Sequence, residues 1–266
     1  MNAPTALLAL TLAFSTAALA QTPWRAEYEK ETNGPHGDCT PRWHTLRPGL
    51  DYRTITCLGD TKDLDLHVVR IVPAQWTLDA VLAPRGQARD VAKSNSAPFA
   101  INANFFDAAR EPLGVIVQSS SEVRPVKSVS WQSIFLVERD GTARIVTPSQ
   151  WKKYRSRARM AVQAGPRLVV DGHTNRVHQS YTAARAGVCI RKSGEVVFFA
   201  TPQERKLDMY EIARIARRGE EDGGLACQDA MLFDGGHSAQ IYAEGDGERI
   251  VVSGDPVPVF VVAKAK

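Results

Sequence analysis

The sequence contains only four cysteines in 266 residues, too few to take the place of a hydrophobic core. None of them shows the CxxC spacing of a zinc site. The six histidines include no HExxH pattern, and His173 and His178 stand five apart, which suits neither a helix face nor a common zinc pair. No internal repeat and no low-complexity tract is present. After the first twenty residues, no stretch approaches the roughly 18 apolar residues of a membrane span. The chain is not strongly biased in charge either: 33 basic and 29 acidic residues leave a net +4. That mild excess fits an anionic ligand, whereas nucleic-acid binding calls for a clustered basic stripe. With 44% hydrophobic and 23% charged residues, disordered, collagen-like and coiled-coil classes are excluded.

Residues 1–20 differ from the rest. They carry no charged side chain, and Leu7 to Leu19 is an apolar run broken only by Thr and Ser. Ala18-Leu19-Ala20 gives the small-x-small pattern of a signal-peptidase site. The expectation is a signal peptide, a secreted or periplasmic product, and no lipid anchor, since no Cys follows the run. In an oxidising compartment, four cysteines are read as two disulfides. Of three connectivities, Cys39–Cys57 with Cys189–Cys227 is favoured because the short loops close most readily.

Residues 21–60, rich in Pro, Gly, Thr and charge, read as an irregular lead-in, and 61–266 as a single domain. The expected class is α+β, with mixed β-sheets and a few packing helices. Leu64 to Val72 and Thr77 to Leu82 read as strands. Further strand candidates are Val115–Gln118, Ile134–Val137, Arg144–Val146, Arg167–Val170, Val196–Phe199, Met231–Phe233 and Val257–Val262. Asp140-Gly141, Asp171-Gly172 and Ser193-Gly194 are turn signals between them. Short helices are expected over Arg89–Asn95 and Ser149–Arg157. A firmer one starts at Asp208, with Glu211 completing a capping box. Met209, Ile212, Ala213 and Ala216 share its apolar face, arginines crowd its last turn, and Gly219 is expected to stop it in the left-handed conformation. The basic run Lys152 to Arg159 reads as a solvated face.

Three segments carry chemical side chains. Ile101-Asn102-Ala103-Asn104-Phe105-Phe106-Asp107 is a strand ending in two amides and a carboxylate. In Ala161 to Gly172 the break Gly165-Pro166 lies between two strands and is followed by Arg167, a guanidinium suited to a phosphate or carboxylate. Arg185 stands similarly before Gly187-Val188. Ala230 to Ser238 runs an apolar strand into Asp234, Gly235, Gly236, His237 and Ser238. Paired glycines allow a sharp turn and let backbone N–H groups approach an anion.

Taken together and in order, these segments resemble the phosphodiester glycosidase family. Its pattern is an N-x-G/N-F-F segment with a later Gly, a G-P-x-L-V-x-D-G segment, an Arg before Gly-Val, and a closing L-D-G-G-x-S. Here these correspond to Asn102 to Asp107 with Gly114, Gly165 to Gly172, Arg185 with Gly187-Val188, and Phe233 to Ser238. The likeness extends from about Leu64 to Val262. Asn104 and His237 stand where many members have Gly, so their side chains are expected to narrow the pocket.

The resemblance implies hydrolysis of the bond between a sugar anomeric carbon and a phosphodiester, with no cofactor and no metal. Arg185 and Arg167 would hold the phosphate, assisted by Gly235, Gly236, His237 and Ser238. Asp234 and Asp107 would be the carboxylates for water activation or sugar binding, and Asn102 and Asn104 would hold hydroxyls. The expected partner is a phosphorylated glycan or sugar-1-phosphodiester, not nucleic acid. A serine hydrolase is disfavoured, because Gly236-His237-Ser238-Ala239-Gln240 misses the G-x-S-x-G elbow and Ser238 follows every His. The alternative from another class is a non-catalytic periplasmic module that binds phosphorylated envelope glycans on the same fold.

Overall fold

The computed structural model describes residues 42–58, 61–175 and 181–266. All lie in one unit spanning Gly34–Lys266. The expected leader at 1–20, the lead-in as far as residue 41 and the Cys39–Cys57 bond fall outside the described residues.

The chain is built mainly of strands. In order come β1 (His44–Arg47), β2 (Leu50–Leu58), β3 (Thr61–Ile71), β4 (Trp76–Gly86), helix α1 (Ala88–Ser94) and β5 (Phe99–Asn102). Then follow β6 (Ile116–Gln118), β7 (Ser121–Arg124), β8 (Ser133–Glu138), β9 (Ala143–Val146), the single-turn α2 (Trp151–Tyr154) and β10 (Ala158–Ala164). The remainder is β11 (Arg167–Val170), β12 (His173–Thr174), β13 (Ala186–Arg191), β14 (Val196–Ala200), α3 (Met209–Arg217), β15 (Cys227–Leu232), β16 (Ile241–Gly245), β17 (Glu248–Val252) and β18 (Val257–Ala265). Residues 44–58, expected to be irregular, form β1 and β2, which pair with each other and add to β3.

The strands make three sheets: β1-β2-β3-β14-β13-β15-β11-β12, β7-β6-β10-β8-β9 and β17-β16-β5-β18-β4. Every pairing between the described strands is antiparallel, so the α+β class holds only loosely and the expected mixed sheets are corrected to antiparallel ones. The turns Gly141, Gly172 and Gly194 sit at φ values of 94, 75 and 88°, which explains glycine at these positions.

The largest core lies between the sheets and takes side chains from all three, among them Val69, Phe198, Phe135, Val162, Ile101 and Val261. At its centre Phe198 meets Phe99 at 4.9 Å, Phe135 at 5.9 Å and Phe233 at 6.4 Å between ring centroids. Each sheet buries its other face under a helix. Met209, Ile212 and Ala216 of α3 pack on Leu168, Phe199 and Leu232. Val91 and Ala92 of α1 pack on Tyr242 and Phe260. Trp151 of α2 packs on Val117, Leu136 and Ala161.

Helix α3 forms as its capping signal predicts. The Asp208 carboxylate accepts from the N–H groups of Tyr210 and Glu211, and Glu211 accepts from the N–H of Asp208. Its end differs from the expectation: Arg218 is extended at φ −56°, ψ 145°, and Gly219 is not left-handed. Close to this helix, Cys189 and Cys227 form the expected disulfide across β13 and β15.

Candidate active site

Strand β15 carries its apolar run, ending with Met231 and Leu232, into Phe233, whose ring is anchored in the central aromatic cluster. The next residues leave the ladder but stay tied to neighbours on both sides. The N–H of Phe233 donates to Ala186 O at 2.8 Å, and the N–H of Asp234 donates to Ala103 O at 2.9 Å. The N–H of Gly236 donates to Ala184 O at 2.8 Å, and the Asn102 amide donates to Asp234 O at 2.7 Å. Asn102 also accepts from the N–H of Gln240 at 3.0 Å. This buried amide therefore joins β5 to both ends of the glycine turn, and its role in this structure is to position that turn.

Glycine is required at the turn for two separate reasons. A Cβ on Gly235 would stand 2.8 Å from Ala184 O, and Gly236 sits at φ +58° with open space around it. Since the N–H of Gly236 is already donated to Ala184 O, the turn does not offer two free N–H groups to an anion.

Beneath this turn opens a cavity of about 290 Å³. One wall is Asp234, Gly235 and Gly236. A second is Tyr181, Ala183 and Arg185, the approach to β13. A third is Gly165 and Pro166, joined by a cis peptide bond. Phe105, Trp131 and Met209, the first residue of α3, complete it. Arg185 is 3% exposed, yet it takes part in none of the ion pairs among the described residues. Its Nε donates to Leu207 O and its Nη2 to Tyr181 O, both at 2.8 Å, and its guanidinium lies 5.1 Å from the Tyr181 ring centroid. The backbone is fixed as firmly, with the N–H of Arg185 donating to the Thr201 hydroxyl and the N–H of Thr201 to Arg185 O.

Asp234 is the carboxyl of the cavity. Burial pushes its pKa up to about 6, against the opposing pull of hydrogen bonds from the Ser238 hydroxyl and the Gly235 N–H. The group therefore titrates near neutrality, where a carboxyl can exchange a proton with substrate or water.

Of the expected set, Arg185, Asp234, Gly235 and Gly236 line one cavity, with Ser238 behind Asp234 and Asn102 beneath the turn. The others lie elsewhere. Arg167 starts β11 opposite Met231, and its guanidinium reaches back to Asp229 at 2.5 Å rather than forward to Asp234. Asp107 is exposed, and its carboxylate accepts from the N–H groups of Ala109 and Glu111, holding a turn. Asn104 turns its amide to Leu113 O and Val115 O, at 3.1 and 3.3 Å. His237 is exposed on the far end of the glycine turn. Neither Asn104 nor His237 is among the residues that line this cavity. Sequence reasoning missed Trp131 and Tyr181. The available signal was a large aromatic residue inside a polar connection, where no core needs it. Among the described residues no group of three or more His, Cys, Asp and Glu side chains could hold a metal ion, and no helix is long and apolar enough to cross a membrane.

On this strand-rich scaffold a guanidinium without an ion-pair partner among the described residues and a carboxyl with a raised pKa line one small cavity. The family model for phosphodiester glycosidases matches residues 95–262, and the chain belongs to that family. Among solved structures, a hypothetical protein from Synechocystis is similar at a TM-score of 0.64 and 14% identity, over 88% of this chain and 64% of that one. The chain thus spans somewhat less than two thirds of that protein's length. The catalytic domain of zebrafish N-acetylglucosamine-1-phosphodiester alpha-N-acetylglucosaminidase is similar at a TM-score of 0.61 and 15% identity, over 85% of this chain and 88% of that one. At these identities the likeness establishes the fold. No curated protein matches the chain.

Proposed function

We propose that the chain is an exported hydrolase that cleaves the glycosidic bond of a sugar-1-phosphodiester. The observation that carries this reading is the pairing of Arg185 and Asp234: both line one cavity, and they form no ion pair with each other. A buried guanidinium with no carboxylate partner among the described residues suits an incoming phosphodiester, whose oxygens it can meet with charge-assisted hydrogen bonds. A phosphate leaves readily, so protonating it matters less than in an ordinary glycoside. The site must instead stabilise an oxocarbenium-like centre and direct a water at the anomeric carbon. Arg185 takes the phosphate, and Asp234, as a carboxylate, takes a proton from the water. Ser238 and the Gly235 N–H orient that carboxylate, and Asn102 holds the backbone that carries it.

The test is incubation with a panel of sugar-1-phosphodiesters, N-acetylglucosamine among the sugars, watched for free reducing sugar. For the cleaved member, Asp234→Asn should lower kcat by roughly 10²–10⁴-fold, the range of a lost acid–base group. Full turnover by that variant would overturn the assignment.

A further inference from the structure

Trp131 is 53% exposed, whereas Trp76 and Trp151 are 5% and 3% exposed in their cores. A single exposed aromatic residue needs no explanation by itself. This one lies on the cavity that holds Arg185 and Asp234, and it is held there firmly. Its ring meets Phe105 edge-on, at 5.6 Å and 63°. Its carbonyl oxygen lies where a Cβ on Gly165 would approach to 2.9 Å. The next residue, Gln132, is buried and accepts from the buried Gln163 amide at 2.8 Å. Gln163 also grips Lys127 through both its N–H and its carbonyl, and receives the N–H of Val115. One buried amide of β10 thereby fixes the connections that present both Trp131 and Phe105. This is the support expected of a preorganised binding group rather than of a loose surface side chain.

Tyr181, the other exposed aromatic on the cavity, already carries the Arg185 guanidinium against its ring. Of these two exposed rings, Trp131 is the one that no cation covers among the described contacts. A pyranose presents an apolar C–H face and a rim of hydroxyls, which suits an aromatic surface next to a carboxyl. At about 290 Å³, the cavity is at the small end of ligand sites and holds about one ring.

We propose that the Trp131 indole is the platform on which the sugar ring of the substrate stacks, with its phosphate directed to Arg185. This deepens, and rests on, the sugar-phosphodiester reading of the cavity. Trp131 acts by positioning the ring and takes no part in proton transfer.

The experiment titrates wild type, Trp131→Ala and Trp131→Phe with glucose-1-phosphate, N-acetylglucosamine-1-phosphate and inorganic phosphate by calorimetry. It also measures kcat and KM separately on whichever phosphodiester is cleaved. The expected result is a roughly three- to tenfold weaker affinity for the sugar phosphates in Trp131→Ala, the size of a lost aromatic contact. KM should rise to match with kcat within about twofold, inorganic phosphate should bind unchanged, and Trp131→Phe should recover most of the loss. Unchanged sugar-phosphate affinity in Trp131→Ala overturns the proposal. So does an equal loss for inorganic phosphate, which would mark a merely structural role. Binding of no sugar phosphate by wild type overturns the platform and the site together. Intact, Trp131-dependent binding without release of reducing sugar would leave the platform standing and refute the hydrolase.

Discussion

The pKa of Asp234, near 6 rather than 3.8, has consequences for rate and for stability. If its carboxylate draws the proton from water, kcat/KM should rise with pH through an inflection near 6 and then level off; a rate falling through that inflection would make Asp234 the acid instead. The stability effect has the opposite slope. Between about pH 3.8 and 6 the folded chain retains a proton that the unfolded chain releases, so stability falls as pH rises through that window and the loss is complete above it. Asp234→Asn should therefore be more stable than wild type at pH 7, by at most about 3 kcal/mol in denaturant titration, and should lose the advantage at pH 4. At this scale the sequence exposed the polar residues at strand ends but not their partners. Arg167 and Arg185 both follow the same kind of signal, a cation beside a glycine break. Only the fold pairs Arg167 with Asp229, 62 residues away, and leaves Arg185 without a carboxylate partner among the described residues. Asp107 likewise carries an ordinary turn signal, and it makes that turn.

Among the elements, α3 matters most for the cavity because its first residue, Met209, forms part of the wall. Asp208→Ala removes the acceptor for two N–H groups and should cost about 1 kcal/mol, read as a lower Tm. A larger rise in KM than in the unfolded fraction would show that the helix start also shapes the wall. The capping box and the apolar face of α3 were legible because both are local. So were the strands that alternate or lie between turn signals. Strand β10, the middle of its sheet, was legible only as a strand before the Gly165-Pro166 break, without its bounds. Ala158 to Ala164 is buried at all but one position and contains Gln163, so it offers neither alternation nor an apolar run. Strand β2 was hidden for a different reason: Asp51 and Arg53 are buried in it, and their polarity reads as a loop until Arg70 is seen to pair with Asp51.

For the molecule as a whole, three antiparallel sheets share one interior, and the disulfide braces the sheet that carries Arg185 and the approach to Asp234. Cys189 and Cys227 close a loop across a separation of 38 residues, so a Cys189→Ala, Cys227→Ala variant should lose about 4 kcal/mol of unfolding free energy. Its circular dichroism should stay that of a strand-rich fold, because the pairing of β13 with β15 does not depend on the bond.

Leu232, Phe233, Asp234 and Gly236 hang from Pro166, Ala186, Ala103, Asn102 and Ala184, that is, from segments scattered over 85 positions of chain and belonging to different sheets. The proposed catalysis would thus depend on the finished tertiary assembly and not on any excisable piece. Gradual heating should therefore extinguish any turnover in step with the loss of the whole fold.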